Sequence, residues 1–206
     1  MIKVVAFHFY TYRMNSIAYY NTYAEQFADS TFEVDMESLY QPFLALLPAD
    51  AHILDVGCGS GRDSLAFKNK GYEVVAMDYS EELVKKATEL TAIPVRHQSF
   101  YDIAEREAYD GIWACASLLH CERERLVEVL KKLANALKPN GVLYMSFKYG
   151  DSDREKDGRY FTDLNEQQAG ELLAQLDSVA LLQQWVTVDQ RPDRVEQWLN
   201  LLVKKV

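Results

Sequence analysis

Seven residues, Asp55-Val56-Gly57-Cys58-Gly59-Ser60-Gly61, place one carboxylate and three glycines between a short apolar run and the mouth of an amphipathic segment. Glycine lets a backbone turn through positive φ and approach a ligand closely, and amide N–H groups at a helix start attract electron-rich groups. A second carboxylate, Asp78, closes the next apolar run 17 residues after Gly61, where it could accept the hydroxyls of a ribose. His120 is of a type that titrates near neutrality and is the first candidate for taking a proton, although it could equally cap or pack against the following helix. Lys148 and Tyr149 end a predicted strand, Arg159 and Tyr160 follow the charged loop after it, and since loops at strand ends carry specificity the four are candidates for the wall of a second pocket. Tyr19, Tyr20, Tyr23 and Phe27 form an aromatic cluster that could cover a bound cation by cation–π attraction, or simply pack as a helix face.

The glycine loop discriminates between two ligand classes. A dinucleotide loop of the form G-x-G-x-x-G requires glycine where this chain has Arg62, and its diphosphate would meet the carboxylate of Asp55. A ligand that carries an ammonium and a sulfonium group welcomes that carboxylate. The loop therefore favours S-adenosylmethionine (SAM) over a nicotinamide dinucleotide.

The elements that must position these residues follow from periodicity. Helices are expected over Asn15 to Asp29 and Met36 to Leu47, the second stopped by Pro48. Strands and helices then alternate: a strand at Ala51 to Val56, a helix at Ser60 to Lys70, a strand at Tyr72 to Met77, and a helix at Glu81 to Leu90 capped by Ser80. Ile93 to Arg96 is a weak third strand and Asp110 to Ala116 a fourth. Leu126, Val129, Leu130, Leu133 and Leu137 mark one face of a helix over Glu122 to Leu137. After the turn at Lys138-Pro139-Asn140-Gly141 comes a fifth strand, Val142 to Phe147. Gly150 to Gly158 is expected as a charged loop, with Asp151 to Asp157 solvated, and a helix follows over Asn165 to Leu176. Val179 to Val188 and Val195 to Val203 form an antiparallel hairpin at the sheet edge, joined by Asp189-Gln190-Arg191-Pro192-Asp193. Alternation of this kind predicts an α/β fold with a mostly parallel sheet covered on both faces.

In order and spacing, Asp55 to Gly61, Val75-Ala76-Met77-Asp78-Tyr79-Ser80, Tyr109-Asp110-Gly111-Ile112-Trp113 and Leu137-Lys138-Pro139-Asn140-Gly141-Val142 resemble the characteristic segments of class I SAM-dependent methyltransferases. The resemblance covers about residues 16 to 206. It implies a Rossmann-like seven-stranded sheet of order 3-2-1-4-5-7-6, its last strand antiparallel, with SAM across the strand ends. It places Gly57, Cys58, Gly59 and Gly61 along the methionine and ribose, Asp78 on the ribose and Tyr79 beside the adenine. Ser99 and Phe100 fall at the adenine edge, with Asp102 as the alternative. Tyr20, Tyr23, Asp55, Arg62 and Ala116 complete the expected cofactor set, and residues 15–47 become a helical lid. His120 then lies where an acceptor would meet the methyl group. The Arg62-Asp63 loop and Ala116-Ser117-Leu118-Leu119-His120 further resemble small bacterial methyltransferases of the tellurite-resistance and thiopurine-like type.

Composition narrows the partners. The formal net charge of −9 repels a phosphate backbone, and Lys and Arg never run beyond two, so nucleic acid is disfavoured. No apolar run approaches the roughly 20 residues of a spanning helix. Cys58, Cys115 and Cys121 lack the spacing of a disulfide framework or a zinc site; no metal is expected, and Cys121 reads as an inert buried thiol in a reducing, cytoplasmic setting. Residues 1–13 read as a loosely ordered extension to a single domain. The fourth strand does not end in Asn/Asp-Pro-Pro-Tyr and no Pro-Cys pair occurs, which leaves a small-molecule acceptor as the expected substrate. A SAM-binding protein without catalysis and a nucleotide-dependent oxidoreductase are the alternatives.

Overall fold

The computed structural model describes residues 16–191 and 194–206; the extension expected at 1–13 and the middle of the last turn lie outside them. Residues 16–22 are helical, and after a break at Tyr23 the chain continues as α1 (Ala24–Thr31), followed by α2 (Glu37–Leu44). The single helix expected over Asn15 to Asp29 is thus two, because Tyr23 adopts φ −113°, ψ 25° and lies outside the helical region.

From there the expected alternation holds. Strand β1 (His52–Val56) leads to α3 (Arg62–Asn69), β2 (Glu73–Asp78) to α4 (Glu81–Thr91), and β3 (Val95–His97) to β4 (Tyr109–Ala114). Helix α5 (Leu126–Ala136) passes directly into β5 (Leu137–Lys148), so the turn expected at 138–141 is absorbed into the strand's irregular start. Strand β6 (Asp153–Lys156), β7 (Arg159–Thr162) and α6 (Glu166–Leu173) precede the closing hairpin of β8 (Val179–Val188) and β9 (Gln197–Lys205). The main sheet runs β3-β2-β1-β4-β5-β9-β8, parallel except that β9 is antiparallel to both of its neighbours. Apart from the two strands inserted in the numbering, this is the expected order.

The inserted pair corrects one expectation. The loop expected over Gly150 to Gly158 contributes the strand Asp153–Lys156, which pairs with Arg159–Thr162 as a separate two-stranded hairpin, while residues 151–157 are largely exposed, as expected. Asp-Arg-Glu-Lys carries no apolar alternation, so its strand character comes from tertiary contacts. Arg154 lies over the Phe161 ring at 5.0 Å and pairs with Asp163, while the Tyr160 hydroxyl donates to Asp153.

Period-two alternation divides the core between the two faces of the sheet. Leu54, Val56, Ile112, Ala114, Leu143 and Met145 point to the face covered by α5 and α6, where Leu126, Val129, Leu130 and Leu133 are buried as the helical period predicts. Ile53, Trp113, Val142 and Tyr144 point to the opposite face, against Leu39, Tyr40 and Phe43 of α2 and Phe67 of α3. Each fully buried side chain of this size contributes about 1.5–3 kcal/mol. Ser80 caps α4 as expected, accepting from the Leu83 amide. Among the described residues no helix is long and apolar enough to cross a membrane.

The second face has a polar centre. Buried Asp63 accepts from the Tyr40 hydroxyl at 2.6 Å and the Trp113 indole at 2.8 Å, and Arg62 grips both of its oxygens at 2.6 and 3.0 Å. Burial pushes this carboxyl up, but the Arg62 charge and the hydrogen bonds outweigh it and hold the carboxyl below its ordinary range. A depressed carboxylate stabilises the fold above the unfolded value and loses that stabilisation as pH falls through the folded value. Asp63→Ala leaves Arg62 buried without its partner and is expected to cost about 3–5 kcal/mol at pH 7, read by urea denaturation; a loss under 1 kcal/mol would show the cluster to be dispensable.

Candidate functional site

Strand β1 delivers the chain into the glycine loop at the carboxyl edge of the sheet. The amides of Gly57 and Cys58 both donate to the Met77 carbonyl, which fastens the loop to β2. Gly57 has φ +70°, and a Cβ there would overlap the side chain of Ser117. Gly59 has φ +58°, and its added Cβ would lie 2.9 Å from Cε1 of Phe27. The loop thus forms a floor made of backbone, and the N-terminal helices close down on it. Gly61 is the N-cap of α3 and sits against Thr91 and Ala87 of α4.

At the end of β2, Asp78 accepts from the Gly59 amide at 2.9 Å and the Ser80 amide at 2.8 Å, one on each oxygen. Burial raises its pKa against these bonds. Each carboxylate oxygen keeps further acceptor capacity for hydroxyls. Asp55 lies deeper. It is buried, accepts from the Ser64 hydroxyl at 2.5 Å, and is pushed well above the ordinary carboxylate range by burial first and by the neighbouring Asp63 charge second.

Two cavities open beside this loop. The smaller, about 50 Å³, is bounded among others by Ile17, Tyr79, Ser99, Phe100, His120 and Tyr160. It brings together the three residues expected at an adenine. The Tyr79 ring stacks on His97 at 5.7 Å, and buried Ser99 accepts from the Tyr101 amide. Asp102, the alternative to Ser99 and Phe100, is exposed and does not line this cavity.

The larger cavity, about 500 Å³, runs from Gly57, Cys58 and Gly59 to the β6–β7 hairpin. Of the expected residues, Tyr20, Tyr23, Arg62, Ala116, His120, Lys148 and Arg159 also line it. Arg62 is held by Asp63 and reaches the Thr31 carbonyl at 3.4 Å, which ties the loop to the end of α1. Tyr149 is not brought in; half-exposed, it donates to Glu166 on α6 at 2.8 Å. Tyr160 meets the smaller cavity instead, and its hydroxyl is turned to Asp153. Ala116 adopts φ 50°, uncommon for a residue with a Cβ, and its amide donates to Ser146 at 2.8 Å.

His120 stands between the two cavities. Its Nδ1 is 2.7 Å from the Tyr160 carbonyl, an acceptor only, so Nδ1 carries the proton and Nε2 accepts from the Tyr20 hydroxyl at 2.8 Å. Burial lowers its pKa to about 4; the Tyr160 carbonyl opposes this, and Arg159 and Lys148 add to it. The neutral imidazole therefore persists well below neutrality, where the residue type alone suggests titration near pH 6.5. The thiols are also held neutral: burial pushes Cys115 and Cys121 up to about 12.

The cavity has a positive balance. Arg62, Lys148, Lys156, Arg159, Arg191 and Arg194 line it against Asp63, Asp157, Asp189 and Glu196, six cations to four acids in a chain of net charge −9. The Arg159 guanidinium lies 4.0 Å over the Tyr19 ring and 5.3 Å from that of Phe161, and Lys148 pairs with Glu196 at 2.6 Å. Sequence reasoning missed Phe27 as a floor contact, Lys156, Ser146, and the Glu196, Trp198 and Asn200 group from β9 and its approach. Hydrophobic alternation marks the β9 segment only as a strand. Lys156 was hidden in the run expected to be solvated.

A family model described as a methyltransferase domain matches residues 53–141. A ubiquinone biosynthesis O-methyltransferase from Xanthomonas axonopodis pv. citri is 34% identical over 108 residues, 49% of this chain and 44% of that protein. An uncharacterized methyltransferase from Staphylococcus carnosus is 28% identical over 108 residues, 52% of each. The chain spans about half the length of the curated relatives it matches. Among solved structures, the Burkholderia thailandensis 1,6-didemethyltoxoflavin-N1-methyltransferase, crystallised with 1,6-didemethyltoxoflavin and S-adenosylhomocysteine, superposes with a TM-score of 0.76 at 21% identity, covering 97% of this chain and 90% of that one.

The loop geometry makes Gly57 the position least able to carry a side chain. Gly57→Ala is expected to lower stability by about 2 kcal/mol or more, from about 1–2 for the left-handed conformation and about 1–3 for the overlap with Ser117. Thermal and urea melts check this; wild-type stability in the alanine variant would mean that the loop relaxes freely.

Proposed function

We propose that this protein, whose residues 53–141 match a methyltransferase domain, transfers the methyl group of SAM to a small-molecule acceptor held in the larger cavity. The observation that carries the proposal is a juxtaposition. One backbone loop, Gly57 to Gly59, borders both the Asp78 carboxylate and the cavity that ends at His120. SAM, when bound, supplies a methyl carbon made electrophilic by its positive sulfur.

The residues present fit that group. The spare acceptor capacity of Asp78 suits the ribose hydroxyls, and Tyr79 and Phe100 offer aromatic surface to the adenine. The loop is bordered by the Asp78 carboxylate, whose charge complements the ammonium and sulfonium of the methionine portion. Arg62 and Asp63 neutralise each other, so the arginine is not free to meet a diphosphate. Tyr19, Tyr20, Tyr23 and Phe27 roof the cavity; they exclude water and hold the acceptor close, which is most of what an in-line displacement needs.

Where the acceptor has a proton to lose, Tyr20 and His120 supply the route. The Tyr20 oxygen takes the acceptor's proton while its own passes to His120 Nε2, and the resulting imidazolium is held by the Tyr160 carbonyl until solvent removes the proton. Burial and two nearby cations make this a weak base, suited to acceptors that are already fairly acidic.

Two measurements test the proposal. Asp78→Ala is expected to weaken SAM binding by about 1–3 kcal/mol, read by calorimetry, since a charge-assisted acceptor is lost; unchanged affinity would move ribose recognition elsewhere. His120→Gln is expected to slow methyl transfer by about 10²–10⁴ with SAM affinity retained. In the wild type the base is the neutral imidazole, present above its pKa of about 4, so the rate should stay level from pH 8 to pH 5 and fall only below that. A fall centred near pH 6.5 would show His120 to be more hydrated than the geometry implies.

A further inference from the structure

We propose that the acceptor is an aromatic oxyanion, with a carboxylate as the simplest case, whose charge is received by Arg159 with Lys148 and Lys156 behind it. The inference rests on assigning the larger cavity to the acceptor, and it adds the chemical class of that molecule.

Charge is the first argument. Two of the four acids that line the cavity are fully paired, and a third, Glu196, is paired through one oxygen while its other oxygen is buried without a partner. Asp63 holds Arg62, Tyr40 and Trp113; Asp189 holds Arg191 at 2.6 Å and accepts from Trp198; Glu196 faces Lys148 at 2.6 Å and Lys156 at 3.9 Å. The fourth, Asp157, is 61% exposed and stands 3.4 Å from Arg159, a pairing that solvent screens. The same pairs occupy Arg62, Arg191, Lys148 and Arg159, so the six cations exceed the four acids by two, a positive balance in a chain that is acidic overall and the reverse of what an ammonium-bearing acceptor would need.

Arg159 is the second. Its side chain is only 18% exposed, and its Nε is buried without a hydrogen-bond partner. A guanidinium removed from water, stacked on Tyr19 and incompletely paired has most to gain from an oxyanion, to which it can donate two parallel hydrogen bonds. Lys148 lies 5.5 Å from the centre of the Phe161 ring that Arg159 also approaches, so one anionic group can feel both charges.

Shape is the third. Tyr19, Tyr20, Tyr23, Phe27, Phe161 and Trp198 surround the space, and aromatic walls favour a flat, conjugated body. An anion on such a body spreads its charge while the ring packs.

A matched pair of probes tests this. Titrate S-adenosylhomocysteine-loaded protein with 6-hydroxy-2-naphthoate and with its neutral isostere 6-hydroxy-2-naphthamide, following the naphthol fluorescence. The carboxylate should bind at least tenfold more tightly than the amide. Arg159→Gln should reduce that preference to less than threefold, and Arg159→Lys should keep most of it, which separates charge recognition from a general loss of structure. Equal binding of the two probes, absence of binding by either, or a preference that survives Arg159→Gln would each overturn the proposal. S-adenosylhomocysteine affinity, measured on the same samples, reports separately on the methyltransferase assignment.

Discussion

Asp63 is the interaction on which the site depends. A carboxylate at this depth is costly unless its lone pairs are filled, and here a phenol, an indole and a guanidinium fill them. The partners come from different elements: Tyr40 from α2, Trp113 from β4, and Arg62 from the first residue of α3. Arg62 then reaches the carbonyl of Thr31 at the end of α1. One buried charge therefore fixes the N-terminal helices relative to the sheet and the glycine loop. The roof over the candidate site is positioned by the same group that organises the core beneath it.

Desolvation then decides the chemistry available. Burial raises Asp55 and Asp78, pushes the thiols of Cys115 and Cys121 out of reach of ionisation, and lowers His120. The cations Arg159, Lys148 and Lys156 gather near the hairpin end of the cavity, away from the Asp78 carboxylate that borders the glycine loop. A positively charged cofactor and a negatively charged acceptor would each settle at the end that suits it. Electrostatic sorting of this kind orders two small molecules without requiring many specific hydrogen bonds.

Much of the fold was legible because its signals are local. The β1, α3, β2, α4 succession follows from short apolar runs, a Ser cap and glycines at turns, and the β8–β9 hairpin follows from two alternating runs around a polar connection. The β6–β7 hairpin was not legible, because four charged residues become a strand only when Phe161 and Asp163 are there to receive Arg154. The break at Tyr23 likewise has no proline or glycine to announce it. For the candidate site, type and spacing pointed to the glycine loop and Asp78, and the family resemblance to Tyr79, Ser99 and Phe100, which line one small cavity. Tyr149, expected in a pocket wall, lies outside the cavity that its neighbour Lys148 lines, because side chains alternate along a strand.

The larger cavity resisted sequence reasoning for a topological reason. The glycine loop, Asp78, Tyr79, Ser99 and Phe100 are drawn from residues 55–100, consecutive strands of a parallel sheet whose carboxyl ends must lie side by side. The wall of the larger cavity joins residues from the N-terminal helices, the ends of β4 and β5, the inserted hairpin and β9 with its approach, from Tyr19 to Asn200. What unites them is the reversal of β9, which runs antiparallel to β5 and so brings Glu196 and Trp198, at its start, beside Lys148, at the end of β5. Had the last strand been parallel, Lys148 would have met the far end of that strand and Glu196 would have lain at the opposite edge of the sheet. The single antiparallel strand thus does more than close the sheet: it supplies the buried lysine with its counter-charge and completes the wall of the cavity.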